Sequence, residues 1–573
     1  MDNRSIARVF TEIADLLEIK GANAFKIRAY RSAADAIATS PDAVSQLDDT
    51  RLREVPGIGK DLAAKIRELA DTGACSYHQE LLQQFPPTIL DLLRLQGVGP
   101  KTVALLYASL NIRSLDELAA AARDGRLRGL KGMGAKKETL ILRAIEERQK
   151  DSGRHLLPDT ASVAAEIVAF LRDQSPGAEL IPVGSLRRGC ESCGDIDILA
   201  VGAETTLMTT FVTHPRVERV LAHGETKTSV LLQGGYQADL RLVPAESRGA
   251  AMQYFTGSKA HNIAIRDRAV QRGFKLNEYG LFRVDDESRL AGETEEGIYQ
   301  ALDLAWIEPE LREDRGEIEA AAGGALPRLV SLADLRGDLH MHTTTTDGRD
   351  DLETMALAAR RLGHRYVAIT EHSKALAMAN GLDEHAALAH AVRVRSLNGH
   401  IEGLTLLAGI ECDILADGSL DLADDCLAQL DIVIASVHSH FSQDGAQLTD
   451  RLLRALDCPW VDVLGHPTGR RLLKRDPLPF DVDAVMGAAG SLGVALEINC
   501  QVDRLDLNDA HARLARTHGV RLVISTDAHS TTALGNLRWG VQMARRGWVE
   551  PDQVLNTRDL DSMRSLLRRH LRG

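Results

Sequence analysis

The last 240 residues contain nine residues that could bind metal ions, and these constrain the fold more than any other feature of the chain. Most of them directly follow a short apolar run rich in β-branched residues, as in AITEHS and VISTDAHS. Side chains from so many segments converge where strand ends meet, as on one face of a β/α barrel. Mixed imidazole and carboxylate ligands suit Zn or Mn and hydrolysis, so we expect a nuclease or phosphatase site. The nine are His340, His342, Asp347, His372, Glu411, His438, His466, Asp527 and His529.

Length and composition limit the class of protein. A chain of 573 residues exceeds what one core supports, and three to five domains are expected. No segment reaches the roughly 18 apolar residues of a membrane helix, and the start, MDNRSIARVF, does not resemble a signal peptide. We therefore expect a cytoplasmic protein with no membrane partner, and a monomer by default. The seven cysteines have irregular spacing, which argues against a disulfide framework.

The charge is unevenly distributed along the chain. The net charge is −13, yet residues 1–150 contain 23 basic and 20 acidic residues. The first part is thus mildly basic, and the excess of acidic residues lies in the remainder. This distribution is compatible with local contacts to phosphate groups, but it does not by itself identify a nucleic-acid partner.

The spacing of apolar residues divides the chain into three parts. Residues 1–150 show helical spacing interrupted by glycine-containing turns. From about 155 to 330, strand-like runs such as DIDILAVG and QADLRLVP alternate with helical segments, which indicates an α+β arrangement. The stretch GEIEAAAGGALPRLVS is typical of a linker. Repeated units of short strand, ligand-bearing loop and helix follow it and predict the β/α barrel.

Two turns in the helical part share the pattern glycine, hydrophobic residue, glycine, with a lysine close behind. The glycines permit a tight turn, and the N-terminus of the next helix presents free N–H groups to a phosphate oxygen. A looser third copy spans residues 130–137. These turns resemble the helix-hairpin-helix motif, which holds the DNA backbone without reading its sequence. The expected DNA-binding residues are Gly57, Gly59 and Lys60 in the first turn, and Gly97, Gly99 and Lys101 in the second.

Three aspartates in the middle part form a second candidate metal site. Asp195 and Asp197 lie two residues apart in a strand-like run, so their side chains share one face of the strand. Asp239 lies in another such run. Three carboxylates can hold two Mg²⁺ ions, one activating an attacking hydroxyl and one binding a triphosphate.

Residues upstream of these aspartates favour a phosphate-binding role. Gly184 and Ser185 would let the backbone approach phosphate groups, and Arg188 would offset developing negative charge. Two aspartates in a strand can also be solvated residues on a half-exposed surface. The glycine–serine pair and the third aspartate favour the metal site over that alternative.

Residues 1–315 resemble the family X DNA polymerases, in particular polymerase beta. The three aspartates match the catalytic triad of that family, and Gly184, Ser185 and Arg188 match its triphosphate-binding positions. The resemblance implies Mg²⁺ or Mn²⁺ at the aspartates, with gapped or primer–template DNA and deoxynucleoside triphosphates as partners. Further matches, to residues that line the sugar of the incoming nucleotide or contact the nascent base pair and template, are Tyr254, Phe255, Gly257, Asn262 and Arg266.

The resemblance also implies a division into domains. It predicts a lyase-like helical domain at 1–85, fingers at 86–155, a palm at 156–245, a thumb at 246–315, a linker at 316–335 and a metal-binding domain at 336–573. Lys65 matches the Schiff-base lysine with which the family removes 5′-deoxyribose phosphate, and Lys26 and Tyr30 match neighbouring positions. Asp61, however, stands where polymerase beta has a lysine, which weakens binding of a 5′-phosphate.

The order of the nine C-terminal ligands resembles the PHP domain, named for polymerase and histidinol phosphatase. The resemblance implies up to three Mn²⁺, Zn²⁺ or Fe ions, with Glu411 bridging two of them. Arg470 or Arg471, directly after His466, is a candidate for contact with a substrate phosphate. The expected groups are His340, His342, Glu411 and Asp527 on one ion, His438, His466 and Glu411 on the next, and Asp347, His372 and His529 on the third.

Together these features predict a DNA polymerase that fills short gaps in DNA repair and carries a metal-dependent 3′–5′ exonuclease. Side activities as a 3′-phosphatase or abasic-site endonuclease are also expected. The alternative is a small-molecule phosphatase whose front part only docks on DNA, and a further one is a non-catalytic scaffold for DNA ends. The intact aspartate set opposes the first alternative, and the complete ligand sets oppose the second.

Overall fold

The chain folds into two compact units in the computed structural model, Met1–Gly153 and Arg154–Gly573. None of the helices within the described ranges is long and apolar enough to cross a membrane. The structure describes residues 3–39, 44–55, 57–85, 89, 92, 98–110, 112–130, 133–134, 138–139, 141–142 and 153–571.

The first unit is helical, as its apolar spacing predicts. In the first helix, Ile6, Phe10 and Ile13 recur at intervals of three and four and are fully buried in one core. The helices described here are α1 (Asn3–Ile19), α2 (Ala24–Thr39), α3 (Asp49–Glu54), α4 (Lys60–Thr72), α5 (Ser76–Gln84), α6 (Pro100–Leu110) and α7 (Leu115–Arg123).

The second unit begins with a five-stranded sheet in the strand order β2-β4-β7-β6-β5. Strands β4 and β7 are parallel, and the other neighbouring pairs are antiparallel. Ile196 and Ile198 of β4 are buried in the core beneath the sheet, together with Ile167 of α8. The elements are β1 (His155–Leu156), α8 (Leu157–Gln174), β2 (Glu179–Pro182), α9 (Gly184–Arg187), β3 (Ser192–Cys193), β4 (Asp195–Val201), α10 (Thr206–Val212), β5 (Val217–His223), β6 (Lys227–Leu232) and β7 (Gln237–Val243).

A small three-stranded antiparallel sheet and its helices follow. They are α11 (Arg248–Thr256), α12 (Lys259–Gln271), β8 (Phe274–Asn277), β9 (Gly280–Arg283), β10 (Arg289–Ala291), α13 (Glu295–Ala301) and α14 (Glu317–Ala322). The segment expected to be a linker, 316–335, differs from that expectation. It contains α14, whose Ile318 lies in the core of this subdomain, and its Val330 donates a backbone hydrogen bond to Val549 at 2.9 Å. Apolar side chains within the low-complexity stretch explain this packing.

The last part is a seven-stranded parallel sheet with its strands in chain order. The backbone pairs Met341 with Ala528, beyond the first and last strands, so the sheet nearly closes on itself. The predicted fold class, helical domains followed by an α+β part and a distorted β/α barrel, is confirmed. The elements are β11 (Gly337–Asp338), α15 (Leu352–Arg361), β12 (Tyr366–His372), α16 (Glu384–Ser396), β13 (Thr405–Asp413), α17 (Asp424–Leu427), β14 (Ile432–Ser436), α18 (Gly445–Asp457), β15 (Val463–Leu464), α19 (Val482–Leu492), β16 (Ala495–Asn499), α20 (Asp509–Thr517), β17 (Leu522–Ser525), α21 (Leu537–Arg546), α22 (Leu560–Ser565) and α23 (Arg568–Leu571).

Two candidate metal centres

The three predicted aspartates meet on adjacent strands. Asp195 and Asp197 occupy alternate positions of β4, and Asp239 on β7 stands directly opposite Asp197 in the parallel register. Burial, together with repulsion from Asp195 and Asp239, raises the pKa of Asp197 to about 6. Asp195 is exposed, Asp197 is half-buried and Asp239 is buried. Carboxylate oxygens on neighbouring strands are the ligands that a divalent cation such as Mg²⁺ prefers.

Two side chains contact the carboxylate of the third aspartate, and one of them is a lysine that neutralises its charge. Lys227 of β6 places its Nζ 2.8 Å from Asp239 Oδ2, and Gln237 donates from Nε2 to Asp239 Oδ1 at 3.2 Å. Neither contact was expected from the sequence. A strand pattern alone does not reveal which lysine of the neighbouring strand faces the site.

A cavity of about 830 Å³ opens beside these strands, and every residue expected to bind nucleotide lines it. Gly184 has φ +66°, and a Cβ there would lie 2.8 Å from Asp197 Oδ2, so glycine permits the close approach of the backbone to the carboxylate. Asn262 is held by Tyr254, whose carbonyl accepts from its Nδ2 at 2.7 Å. The predicted residues that line the cavity are Gly184, Ser185, Arg188, Asp195, Asp197, Tyr254, Phe255, Gly257, Asn262 and Arg266.

A buried ion-pair network supports one wall of the cavity. Arg187 donates to Thr256 Oγ1 at 2.7 Å and to Glu295 Oε2 at 2.6 Å. Arg312, which is fully buried, donates to Glu295 Oε1 at 2.6 Å. Burial would raise the pKa of Glu295, but the two arginines lower it to about 2. Sequence analysis did not find this network, because its members lie 17 and 108 residues apart.

The second centre lies at the C-terminal ends of the barrel strands, where Glu411 is the common partner. Glu411 Oε1 lies 3.3 Å from His438 Nε2 and 2.9 Å from His466 Nε2. Its Oε2 lies 3.4 Å from His340 Nε2 and 3.0 Å from His372 Nδ1. Its Oε2 also lies 3.5 Å from His342 Nε2. One carboxylate therefore faces five imidazoles, which fits the predicted bridging role.

The remaining predicted ligands join the same cluster. Asp527 Oδ1 is 3.2 Å from His342 Nε2. Asp347 Oδ2 is 3.4 Å from His372 Nε2 and 3.3 Å from His529 Nε2. All nine predicted residues are thus brought together.

The expected assignment of residues to three ions agrees only in part with this geometry. His340, His342 and Asp527 converge as expected. His342, however, also converges with Asp347, His372 and His529, and His372 with Glu411 and His438. The groups overlap because His342 and His372 lie between neighbouring carboxylates.

Several imidazoles are oriented by hydrogen bonds on the side away from the cluster. His340 Nδ1 is bonded to Glu497 Oε1 at 2.7 Å, and His438 Nδ1 to Asp413 Oδ1 at 3.2 Å. Such carboxylate–histidine pairs fix the ring orientation of metal-binding histidines. Neither Glu497 nor Asp413 was expected from the sequence; Glu497 lies in the middle of β16, and Asp413 is the last residue of β13.

The donor set fits divalent cations. His340 Nε2 and both ring nitrogens of His342 are buried and have no hydrogen-bond partner among the described residues. Burial and the neighbouring His372 lower the pKa of His342 to about 3, which leaves a neutral imidazole able to ligate. Burial would also lower the pKa of His372, but Glu411 and Asp347 raise it to about 10. Closely spaced carboxylates thus attract positive charge into this centre.

The guanidinium of Arg470, a candidate for contact with a substrate phosphate, is already paired with other groups of the protein. Its side chain is buried, lies 2.8 Å from Glu191 Oε2 and donates to the carbonyl of Arg504 at 2.9 Å. Arg471 pairs with Asp503 at 2.7 Å and remains partly exposed.

Comparisons with known proteins cover the whole chain. Family models match a helix-hairpin-helix domain at residues 1–75, a SAM-like helix-hairpin-helix tandem at 89–147, a DNA polymerase beta palm at 159–235, a DNA polymerase beta thumb at 251–313 and a PHP domain at 338–499. A relative in Bacillus subtilis (strain 168), named DNA polymerase/3'-5' exonuclease PolX, is 37% identical over 573 residues, which cover 100% of both chains.

The chain belongs to the family X DNA polymerases with a C-terminal PHP domain.

Shorter relatives match part of the chain. Probable phosphatases of Shewanella sp. (strain ANA-3) and Thermoanaerobacter sp. (strain X514) are 31% identical over 229 residues and 29% identical over 232 residues. Each match covers 38% of this chain, and 86% and 89% of the respective relative.

The first hairpin of this family X chain has the expected geometry. Gly57 has φ +84°, and Gly59 directly precedes α4, which begins at Lys60. In the second hairpin, Gly99 precedes α6, which contains Lys101 in its first turn, whereas Gly97 lies outside the described residues. Most of the third copy, including Lys131, Gly132 and residues 135–137, also lies outside them.

The expected lyase lysine lies on α4. Lys65 Nζ is 2.7 Å from Asp61 Oδ1 and 5.3 Å from the centre of the Tyr77 ring. Lys26 donates to the Tyr77 hydroxyl at 2.8 Å, and Tyr30 stacks on the same ring at 6.2 Å. Lys26, Tyr30 and Lys65 therefore surround Tyr77, and the pairing with Asp61 occupies the amine.

Proposed function

We propose that this family X polymerase fills short gaps during DNA repair and removes nucleotides from DNA 3′ ends with its PHP domain. The observation that carries the proposal is the presence of both donor sets in one chain. Three carboxylates meet beside a nucleotide-sized cavity, and nine ligands meet at the barrel mouth. The Bacillus relative, similar over its full length, carries both activities in its name.

In the palm, the residues of the chain bind and orient the substrates. Asp195, Asp197 and Asp239 would hold Mg²⁺ or Mn²⁺, which supplies charge neutralisation for attack by a primer 3′-hydroxyl on the α-phosphate. Arg188 would bind the triphosphate and stabilise the pyrophosphate that leaves. Tyr254, Phe255 and Gly257 would line the sugar, while Asn262 and Arg266 would contact the base pair and the template.

In the PHP domain, the clustered ligands would hold up to three Mn²⁺, Zn²⁺ or Fe ions. Such ions supply Lewis acidity and an attacking hydroxide near neutral pH for phosphodiester hydrolysis. Glu497 and Asp413 orient His340 and His438, which would keep the Nε2 atoms of both rings directed to the metal ions. Since the polymerase site leaves a primer 3′ end, that end is the proposed substrate.

The test is a gapped duplex with a 5′-labelled primer, incubated with Mg²⁺ or Mn²⁺ with and without deoxynucleoside triphosphates. Asp195→Ala should abolish extension and preserve degradation, and His342→Ala should do the reverse. Asp173→Ala, an exposed change on α8, and His400→Ala, an exposed change in the barrel, are the matched controls. Degradation that survives loss of both His342 and Glu411 would remove the exonuclease assignment.

The similarity to probable phosphatases suggests one competing function, hydrolysis of a small phosphate ester. If the purified protein hydrolyses histidinol phosphate efficiently and leaves DNA intact, the PHP domain is a small-molecule phosphatase. We expect hydrolysis of the DNA end instead, because the palm and the hairpins serve DNA. Products of 3′-phosphatase and abasic-site cleavage can be scored on the same gel with modified duplexes.

Further parts of the proposal concern binding and assembly. The DNA backbone would be held by Gly57, Gly59, Lys60, Gly97, Gly99 and Lys101. We also propose the six domain divisions given above, with 316–335 as a packed segment in place of a linker. Lys65 is the candidate lyase nucleophile, tested by borohydride trapping of 5′-deoxyribose phosphate DNA with Lys65→Ala as control. Light scattering would test the expected monomer.

A further inference from the structure

A helix of the barrel contacts the loop that carries the triphosphate-binding arginine. Arg546, at the end of α21, donates from Nη1 to the backbone carbonyl of Arg188 at 2.9 Å. The same Nη1 donates to Glu313 Oε1 at 2.9 Å, and Arg188 Nε donates to that oxygen at 3.0 Å. One carboxylate oxygen therefore accepts hydrogen bonds from a PHP arginine and a palm arginine.

The network continues into the barrel. Arg546 Nη2 donates to Asp509 Oδ2 at 2.9 Å, and Arg315 Nη1 donates to the same oxygen at 3.0 Å. The side chain of Arg546 is only 7% exposed, and those of Glu313 and Asp509 are 17% and 16% exposed. Burial alone would raise the pKa of Glu313, but Arg546 and Arg188 hold it below its usual value. Burial would likewise raise the pKa of Asp509, but Arg546 and Arg315 hold it below its usual value. Both acids are therefore ionised, and three arginines with two acids leave one net positive charge.

The backbone and side chain of Arg188 are both held in place. Its Nη1 donates to the carbonyl of Thr256, which also lines the nucleotide cavity. The next residue, Gly189, has φ +65°, and a Cβ there would lie 2.3 Å from Gln542 Cγ of α21. Helix α21 thus packs directly on this loop, and only glycine fits the contact.

We propose that Arg546 of the PHP domain is a positioning residue for Arg188 and thereby sets the affinity of the polymerase site for deoxynucleoside triphosphates. The inference rests on the proposed polymerase function. With Arg546 in place, Glu313 shares its charge between two arginines, and Arg188 keeps positive charge for the triphosphate. Without Arg546, Glu313 would pair with Arg188 alone and compete with the triphosphate for it.

The test compares Arg546→Gln with Arg545→Gln in the full-length protein. Arg545 also joins the barrel to the thumb, through Glu310 at 2.7 Å and Glu308 at 3.1 Å, but it has no contact with Arg188 among the described residues. We expect Arg546→Gln to raise the KM for the triphosphate about tenfold and to leave kcat within about threefold of wild type. The Arg545→Gln control should change KM by less than about twofold.

Three further measurements separate positioning from folding. Arg546→Lys keeps the charge and should restore most of the KM, and 3′-end degradation should stay at the wild-type rate in both Arg546 variants. Arg546→Gln should add nothing to the KM of an Arg188→Ala protein, since the effect passes through Arg188. If wild type extends primers and Arg188→Ala raises KM while Arg546→Gln does not, the inference is wrong.

Two other outcomes would count against the inference or against the proposed polymerase function. A proportional loss of extension and degradation in both Arg546 variants would show that Arg546 only stabilises the fold, and it would overturn the inference. Failure of the wild-type protein to extend any primer would instead refute the proposed polymerase function itself.

Discussion

Replacing Glu295 by glutamine tests the buried network that holds the wall of the nucleotide cavity. The carboxylate accepts from Arg187 at 2.6 Å and from Arg312 at 2.6 Å, and its side chain is only 4% exposed. Glutamine keeps the size of the side chain but removes its charge. Arg312, which is fully buried, would then lose its only carboxylate partner among the described residues.

The size of the effect follows from the pKa of the carboxyl. Because the folded protein lowers the pKa of Glu295 from 4.5 to about 2, folding favours the ionised form by about 3 kcal/mol. Breaking a buried pair by removing one partner typically costs about 3–5 kcal/mol, which is consistent with that figure. We therefore expect Glu295→Gln to lower the free energy of unfolding by about 3 kcal/mol at pH 7.

The assay is urea unfolding, followed by tryptophan fluorescence and circular dichroism. Glu296→Gln is the matched control, since Glu296 is the next residue of α13 and is exposed. We expect the control to lose less than about 0.5 kcal/mol. A loss below about 1 kcal/mol for Glu295→Gln, or a loss equal to the control, would refute the reasoning.

The stability that the Glu295 carboxylate contributes should decrease as the pH is lowered. A carboxyl with a lowered pKa stabilises the fold above its unfolded pKa, and this contribution declines as pH falls toward the folded value. The stability difference between wild type and Glu295→Gln should therefore be full at pH 7. It should narrow by slightly less than about 1 kcal/mol on acidification to pH 4.

The remaining predictions concern the two centres. Gly184→Ala should abolish primer extension, because its Cβ would lie 2.8 Å from Asp197 Oδ2. Gly202→Ala is the matched control, since Gly202 has a similar φ of +62° and the nearest atom to its Cβ would be Ala245 Cβ at 3.7 Å. The control should retain primer extension. Glu497→Gln should weaken Mn²⁺ or Zn²⁺ binding by about 10- to 100-fold in a calorimetric titration, and unchanged affinity would contradict its role in orienting His340. Chelation should lower the Tm of the PHP domain and Mn²⁺ or Zn²⁺ should restore it, because bound metal stabilises the folded state.

The local motifs could be predicted from the sequence because their chemistry lies in neighbouring residues. Asp195 and Asp197 share a strand face, and the barrel ligands follow apolar strands, so their convergence follows from the fold class. The supporting contacts could not be predicted in this way. Arg546 and Glu313 lie 233 residues apart, and Lys227 reaches Asp239 only through the pairing of β6 with β7.

The packing of the segment 316–335, which was expected to be a linker, could not be predicted from the sequence either. Small residues and glycines around α14 are typical of a loose connection. The packing of Ile318 into the thumb core and of Val330 against the barrel depends on partners that lie elsewhere in the chain. The division of ligands among ions likewise depends on side-chain positions within the barrel mouth, because His342 and His372 each face two carboxylates.

The measurement that tests the central claim most directly uses Asp195→Ala, His342→Ala and their double variant on one labelled gapped duplex. Two separate centres in one chain predict that an equimolar mixture of the single variants restores both extension and 3′-end degradation. The double variant should show neither. Degradation by the double variant, or loss of both activities in either single variant that remains folded, would contradict the account.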